Sequence, residues 1–378
     1  MVAFIAQTSI HVLRAIQMKL ELPEFKEEKA HIFLVNTFLG VDKIEKTLKK
    51  CGLFNDVYLL EQKDYQGRGV VYKYLYTNNW MKQLLLKNQY NFLVTFNLES
   101  PINTIFYNSL RKNKSFKYYC VEDGPGFYKI YWKTNWKKKI QASIFGVMNP
   151  PDNVDIWWFS CPNLMDVPTE NAIKKQLPLL NRRDYKMVKI ANEVFGFERD
   201  AEIEDADILI MEESYFNDGL LKNNDDFILY KKIKESFPNQ NILVKLHPRT
   251  SINRFKNDFN CIEKSFIPWE LFELNYDMRD KLFIAIMCTT LISPKILFDD
   301  ENNVIQLFPI FKNKIISEGE IYINGDREKI LLKEKELYED QTKFTIIENE
   351  KELFAKIEKY IACKETQNIK CLGAKDEF

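Results

Sequence analysis

The stretch HIFLVNTFLGVDKIEKTLKKCG (residues 31–52) contains the pattern of one complete strand–helix unit. Its first half, HIFLVNTF, is an almost continuous apolar run, which is typical of a strand that is buried on both faces. Its second half, VDKIEKTLKKCG, has the spacing of an amphipathic helix and ends at Gly52, a residue that suits a helix C-terminus. A buried strand followed by such a helix predicts a parallel sheet covered on both faces.

The same alternation recurs along most of the chain and predicts an α/β fold. Further strands are predicted at MVAFIA (1–6), DVYLLEQ (56–62), YNFLVTF (90–96), FKYYCVEDG (116–124), ADILIMEE (206–213), NILVKLHPR (241–249), KLFIAIMCTT (281–290) and NVIQLFPIF (303–311). The alternation breaks at residues 131–162, an aromatic stretch with two consecutive prolines that we interpret as a domain crossing. We therefore predict two doubly wound, Rossmann-like domains, residues 1–165 and 166–365, which face a central cleft, and a frayed tail at 366–378.

Composition excludes several classes of protein. The chain has 378 residues, and its 54 basic side chains equal its 54 acidic ones, which argues against a nucleic-acid partner. Its seven cysteines are scattered without a CxxC pair, which indicates reduced thiols in a cytoplasmic protein. No apolar run reaches the roughly 18 residues of a membrane span, and the N-terminal apolar run is too short for a signal peptide. We expect a cytoplasmic protein that touches a membrane at most peripherally.

Ligands of open α/β sheets bind beyond the carboxyl ends of the strands, so the residues that follow each predicted strand are the first candidates for a site. In the predicted first domain these are Gln7, Thr8, Asn36, Thr37, Glu122, Asp123 and Gly124. In the second they are Glu212 to Gly219, His247, Pro248, Arg249, Thr289 and Thr290. The set is small, polar and titratable, which suits a site for a phosphate and a sugar.

His247 is one of three histidines and stands at a predicted strand end. Pro248 fixes the backbone after it, and Lys245 and Arg249 lie nearby in the sequence. Its imidazole could stabilise a leaving phosphate, or it could cap the strand end without any chemistry.

Two further pairs of side chains admit both a functional and a structural interpretation. Glu122 and Asp123 precede a turn stiffened by Pro125, so they are either acids of a solvated turn or carboxylates aimed to accept a proton from a hydroxyl. Thr289 and Thr290 lie just before a predicted helix, where they could bind a phosphate or simply cap the helix.

Other motifs carry less weight. The chain has no HExxH, GxGxxG or GxxxxGK[ST] motif, which disfavours P-loop phosphoryl transfer. The string Asp205-Ala206-Asp207 matches a nucleotide-binding DxD motif, but it lies at the amino end of a predicted strand. The basic aromatic stretch YKIYWKTNWKKKI (128–140) fits a solvated face, an anionic lipid surface or a sugar platform.

Taken in order, four short motifs form a known pattern: QTS (7–9), EDG (122–124), HP (247–248) and TTLIS (289–293). This order resembles the bacterial sialyltransferases with a two-Rossmann, or GT-B, fold, which carry a D/E-D/E-G motif, an HP motif and a Ser/Thr pair. The spacing and the stretch ILIMEESYFNDG are most similar to glycosyltransferase family 52, which contains lipooligosaccharide and capsule sialyltransferases. Bacterial polysialyltransferases share the motifs. The resemblance extends from the first strand to about residue 300.

The resemblance implies a role for each matching residue. Glu122 matches the general base that deprotonates the acceptor hydroxyl, and Asp123 matches the acid that orients the turn or shares the proton. His247 matches the histidine that supports the CMP phosphate as it leaves. The implied substrate contacts are Thr8, Gly124, Gly126, Pro248, Thr289, Thr290 and Ser293. The first domain would then hold the acceptor and the second would hold CMP, with no metal and no cofactor, because CMP-sialic acid carries no diphosphate.

The sequence leaves alternatives open. The same side chains would suit another CMP-activated acid such as Kdo. An enzyme for a UDP-sugar would normally carry glycine-rich phosphate loops, whereas this chain has only 12 glycines. A non-enzymatic scaffold for polysaccharide assembly is a further alternative. The acceptor (galactose or sialic acid), the linkage, mono- or polysialylation, and the oligomeric state, including a homodimer, stay undetermined.

Overall fold

The computed structural model describes residues 1–61, 83–85, 87–97, 100–123, 153–164, 173–221, 223–263, 266–315 and 326–373. These residues form two parallel sheets, each covered by helices. The predicted α/β class with two doubly wound, Rossmann-like domains is confirmed.

The strands of the first sheet run in the order β3-β2-β1-β4-β5-β6-β7, and every neighbouring pair is parallel. The strands are β1 Val2–Ala6, β2 Ala30–Val35, β3 Asp56–Leu60, β4 Phe92–Thr95, β5 Lys117–Val121, β6 Ile156–Phe159 and β7 Ile173–Gln176. All residues of β1 and β2 are buried, as their apolar sequences predict. The strand order reverses between β1 and β4, and this reversal is where doubly wound folds bind ligands.

The helices that accompany this sheet follow from local sequence signals. They are α1 Ser9–Glu21, α2 Pro23–Lys26, α3 Val41–Cys51, α4 Pro101–Leu110 and α5 Tyr185–Phe195. Gly52 ends α3 with φ of 65°, a left-handed conformation that glycine adopts without strain, as predicted. Gly196 ends α5 in the same way, with φ of 59°. Residues 11–19 of α1 are all buried, so most of this helix lies in the core of the first unit.

The second sheet repeats the topology with strand order β10-β9-β8-β11-β12-β13, again entirely parallel. The strands are β8 Ile208–Met211, β9 Ile242–Lys245, β10 Asn260–Ile262, β11 Leu282–Ala285, β12 Asn303–Gln306 and β13 Phe344–Ile346. Here the strand order reverses between β8 and β11. The helices of the second half of the chain are α6 Ala201–Asp205, α7 Asp225–Ser236, α8 Trp269–Asn275, α9 Ser293–Phe298, α10 Phe308–Phe311, α11 Asp326–Glu336 and α12 Glu350–Gly373.

The chain divides into two compact units that are not contiguous in sequence. The first unit comprises Met1–Glu198 and Phe266–Asn275, and the second comprises Arg199–Ser265 and Tyr276–Phe378. The ten-residue segment of the first unit that comes late in the chain contains α8. The predicted boundary near residue 165 therefore lies too early, because β7 and α5 still belong to the first unit.

Helix α8 is anchored in the first unit by packing and by hydrogen bonds. The ring of Phe272 packs edge-on against Phe197, with centroids 5.3 Å apart. Arg182 Nε donates to the carbonyl oxygen of Glu273 at 2.7 Å. The side-chain amides of Asn192 and Asn275 donate to each other at 2.8 Å. These contacts explain why a segment of the second half of the sequence belongs to the first unit.

Other differences from the sequence-based prediction are local. The run IWWF, which we interpreted as part of a crossing, forms β6 inside the first sheet. The stretch NVIQLFPIF is not one strand, because β12 ends at Gln306 and α10 follows. The expected frayed tail at 366–378 is helical as far as Gly373. Among the described residues, no helix combines the length and apolar character that crossing a membrane requires.

Candidate functional site

At the carboxyl edge of the first sheet, Asp123 and His11 form a hydrogen-bonded pair. Asp123 follows β5, and His11 lies in the first turn of α1, directly after β1. His11 Nδ1 accepts the Gln7 backbone N–H at 3.1 Å, so the ring carries its proton on Nε2 and donates it to Asp123 Oδ1. The imidazole is 1% exposed and stacks on Phe96, whereas the Asp123 side chain is 35% exposed. The carboxylate is therefore reachable while its histidine partner is not.

Glu122, the neighbouring acid, is buried in a different network. Arg14 Nη2 donates to Glu122 Oε1 at 3.0 Å, and both side chains are at most 2% exposed. The Ser160 backbone N–H donates to Glu122 Oε2 at 2.9 Å, and the Ser160 hydroxyl donates to Oε1. Arg14 also donates to Gln17 and to the Ser160 hydroxyl. Both oxygens of this carboxylate are thus occupied, and the network joins α1 to the ends of β5 and β6.

The other predicted residues of the first unit are of two kinds. Thr8 caps α1, because its hydroxyl oxygen accepts the His11 backbone N–H at 3.4 Å. This contact holds His11 in place, and the predicted substrate contact of Thr8 stays a prediction. Gly124 and Gly126 lie outside the described residues, as does the basic aromatic stretch 128–140.

In the second unit, His247 opens a tight turn at the end of β9. The Thr250 N–H donates to the His247 carbonyl at 2.9 Å, which closes a four-residue turn with Pro248 at its second position. The Arg249 N–H donates to His247 Nδ1 at 3.1 Å, so the neutral ring carries its proton on Nε2. Burial, with help from Arg249 and Lys245, lowers the His247 pKa to about 4, although Asp218 opposes this shift. The imidazole is therefore a neutral hydrogen-bond donor near pH 7.

The two glutamates that follow β8 each hold a neighbouring loop. Glu212 Oε2 accepts the His247 N–H at 2.8 Å and the Thr250 hydroxyl at 2.7 Å. Glu213 accepts the Met287 N–H with both oxygens, at 3.1 and 2.9 Å. Since β8, β9 and β11 are neighbours in the sheet, this acidic pair joins the loops that follow all three strands.

Arg249 also belongs to a polar cluster at the same edge. Its Nη2 lies 3.0 Å from the Ser214 hydroxyl and 3.1 Å from Asp218 Oδ2. The guanidinium is 69% exposed, so it remains available to an anionic group as well.

The threonine pair lies where the sequence places it, after β11. Thr289–Leu291 forms a single 3₁₀ turn, and both threonines are half-buried. The Thr290 hydroxyl lies 2.6 Å from Cys288 Sγ, and burial raises the pKa of that thiol to about 12. Ser293 is fully buried and its hydroxyl donates to the Thr290 carbonyl at 2.9 Å. Ser293 therefore has a structural contact with the turn. Its predicted contact with substrate stays a prediction.

The DxD string is at the amino end of its strand, as its sequence position indicates. Asp207 Oδ2 accepts the Asn241 N–H at 2.9 Å, and Lys364 Nζ lies 2.7 Å from Asp207 Oδ1. These contacts join the beginnings of β8 and β9 to α12. Among the described residues, no group of three or more His, Cys, Asp or Glu side chains is arranged to hold a metal ion.

Comparison with known proteins defines the fold. No protein-family model matches the chain, and no curated protein matches it either. Among solved structures, the GT-B domain of a sialyltransferase from Photobacterium damselae is 12% identical, with a TM-score of 0.51 over 92% of this chain and 99% of that one. A UDP-N-acetylglucosamine 2-epimerase (10% identity, TM-score 0.47, 91% and 90% covered) and MurG from Acinetobacter baumannii (10%, 0.45, 88% and 82%) also align.

With its two all-parallel sheets, both in doubly wound order, the chain has the GT-B fold. At such low identity the likeness establishes the fold alone, and a shared fold does not determine an activity.

Sequence reasoning missed the partners of its own candidates. The sequence analysis gives His11 and Arg14 no role, and Ser160 lies in the stretch 131–162 that we interpreted as a crossing. A signal for the first two was present, because His11 and Arg14 are three residues apart and so share one face of the helix that follows β1. No comparable local signal marks Ser160.

Proposed function

We propose that this protein is an inverting, metal-independent sialyltransferase of the family 52 type. It transfers sialic acid from CMP-sialic acid to a terminal sugar hydroxyl, with galactose as the first candidate, of a bacterial surface glycan such as lipooligosaccharide or capsule. Such an enzyme would work in the cytoplasm, with any membrane contact peripheral. The observation that carries the proposal is the reachable Asp123 carboxylate, backed by buried His11, on a GT-B fold whose second sheet bears a neutral imidazole at the expected strand end.

In the first unit, we assign the role of general base to Asp123. The sequence resemblance implies Glu122 in that role instead. A base must reach the proton that it removes. Asp123 is partly exposed and makes its hydrogen bond to His11 through Oδ1 alone, whereas both oxygens of Glu122 accept hydrogen bonds within a buried ion pair. The Nε2–H of His11 keeps the Asp123 carboxylate oriented and stabilises its charge.

In the second unit, His247 supports the leaving group. The acceptor oxygen forms a bond to the anomeric carbon of sialic acid, and its proton passes to Asp123. The bond between that carbon and the phosphate oxygen breaks, and CMP leaves with the electron pair. The Nε2–H of His247 donates to the phosphate, with the Thr289 and Thr290 hydroxyls and Arg249 as further donors. One displacement inverts the anomeric centre.

The direct test incubates purified protein with CMP-sialic acid and a lactose-type acceptor in EDTA. CMP release and product mass are measured for the wild type and for His247→Ala. Removing one preorganised donor to a charged leaving group typically lowers turnover about 10²- to 10³-fold, and we expect a loss of that size. Sialylated product in EDTA would support both the donor and the metal-free mechanism.

Controls separate failure of the donor assignment from failure of the enzyme. CMP-Kdo and UDP-sugars are tested with the same acceptors. Turnover of one of these, with CMP-sialic acid left intact, would overturn the donor assignment. If no donor changed with any acceptor, the non-enzymatic scaffold would replace the transferase.

A further inference from the structure

One carboxylate oxygen holds both ends of the turn that carries His247. Glu212 Oε2 receives the backbone N–H of His247, the first residue of the turn, at 2.8 Å. It also receives the hydroxyl hydrogen of Thr250, the last residue of the turn, at 2.7 Å. The turn is closed between the same two residues by the Thr250 N–H, which donates to the His247 carbonyl at 2.9 Å. The sequence HPRT thus forms a turn built around one buried acceptor.

The conformation of this turn decides which nitrogen of His247 carries the proton. The Arg249 N–H can donate to Nδ1 only while the turn keeps its shape, and this bond leaves the ring proton on Nε2. In the proposed reaction, the Nε2–H group of His247 donates a hydrogen bond to the phosphate. A residue that stabilises the turn therefore controls the donor presented by the imidazole.

We propose that Glu212 is the positioning residue for His247, and that it holds the imidazole as an Nε2–H donor through the closed turn from His247 to Thr250. The role in catalysis rests on the proposed function, whereas the role in fixing the imidazole does not. Glu212 itself is 2% exposed and acts through the His247 N–H and the Thr250 hydroxyl, the two groups that it holds in the turn.

The surroundings of Glu212 fit an acceptor that need not be charged. Burial raises the pKa of Glu212, while hydrogen bonds from Thr250 and His247 and the charge of Arg254 oppose the shift, and Asp226 adds to it. Its second oxygen, Oε1, is buried without a hydrogen-bond partner among the residues described. Glu212→Gln keeps one oxygen acceptor and places an amide nitrogen where Oε1 lies. It is therefore the conservative variant, and Glu212→Ala is the disruptive one.

The first experiment needs no substrate. The chain has three histidines, so protein labelled with ¹⁵N-histidine gives three imidazole spectra, and His247→Ala identifies that of His247. We expect the wild type and Glu212→Gln to show a fixed Nε2–H tautomer, and Glu212→Ala to show nitrogen shifts averaged between the two tautomers. The pKa of His247 should move from about 4 in the wild type toward 6.5 in Glu212→Ala as the ring becomes solvated.

Two matched controls guard against a general loss of structure. Glu213→Ala removes the neighbouring acid, whose two oxygens accept the Met287 N–H, so we expect it to leave the His247 spectrum unchanged. Thr250→Val removes only the hydroxyl bond to Glu212 and should reproduce part of the change, whereas Thr250→Ser should not. If Glu212→Ala does not fold, the Thr250 pair carries the test.

The second experiment is a double-mutant cycle on donor turnover. Misplacing a reacting group by about 1 Å can cost about 10²-fold, so we expect Glu212→Ala to lower kcat about 10- to 100-fold, with a smaller change in the KM for donor. In the His247→Ala background the same change should cost less than about 2-fold, because groups that act as a unit are not additive.

The outcomes distinguish the two proposals. An unchanged His247 spectrum in both Glu212→Ala and Thr250→Val would overturn the positioning role, whatever the enzyme does. Equal kinetic losses from Glu212→Ala with and without His247 would overturn the catalytic part of that role. If Glu212→Ala loses the fixed tautomer but the wild type turns over no CMP-sugar, Glu212 remains the residue that positions His247. Only the proposed function is then rejected.

Discussion

Replacing Asp123 with Asn is expected to lower sialic acid transfer about 10²- to 10⁴-fold, the contribution typical of general base catalysis. Asparagine keeps a side-chain oxygen that can accept the His11 Nε2–H, so the local structure should survive. It cannot take the proton of the acceptor hydroxyl. Since Asp123 is 35% exposed, its replacement should leave the melting temperature close to that of the wild type. The measurement is CMP release at saturating donor, with thermal unfolding recorded on the same preparations.

The control is the neighbouring acid. Glu122→Gln should reduce stability first and activity only in proportion to the protein that unfolds. If Glu122→Gln abolished transfer in a protein of unchanged stability while Asp123→Asn remained active, the base would be Glu122, as the resemblance to sialyltransferases implies, and our reassignment would fail.

Removing the cation that faces Glu122 is expected to have the largest effect on stability. Arg14→Ala leaves a buried carboxylate without its charge partner, and breaking a buried ion pair in this way costs about 3–5 kcal/mol. Arg14 and Glu122 are at most 2% exposed, so bulk solvent does not reach the carboxylate to compensate for the lost charge partner. The free energy of unfolding should be measured by urea denaturation at pH 7, followed by circular dichroism.

A double variant tests the origin of this loss. Arg14→Met combined with Glu122→Gln removes both charges and keeps the volume, so it should recover much of the stability that Arg14→Ala loses. A loss below about 1 kcal/mol for Arg14→Ala, the value typical of exposed pairs, would contradict the buried network.

The fold was predictable because most strands are short, continuous apolar runs followed by helices. The strands that were missed lack that signal for physical reasons. β7 has the sequence IKKQ, and every residue in it is at least partly exposed at the sheet edge. β10 and β13 are three-residue strands at the two edges of the second sheet, too short to show a period. β6 is apolar, but four residues beside a proline-rich stretch do not distinguish a strand from a packed loop.

The positions of the candidate residues in the fold were predictable, but their contacts were not. Glu122 and Asp123 follow β5 and His247 follows β9, so each lies beyond the carboxyl end of a strand in its own sheet, as the sequence predicts. The sequence could not tell which acid is reachable, since the burial of Glu122 depends on Arg14, 108 residues away, and on Ser160, 38 residues away. Partners at such separations leave no local pattern in a single sequence.

The placement of α8 has a consequence for how this molecule can be recombined. Because Phe266–Asn275 belongs to the first unit, the polypeptide passes from one unit to the other three times. A gene fragment that stops after Glu198 omits the helix that covers Phe197 and pairs with Asn192, and so exposes apolar surface. A chimera that exchanges the second unit for that of another GT-B protein must therefore retain these ten residues, which requires three junctions in the coding sequence where a simple tandem of domains needs one.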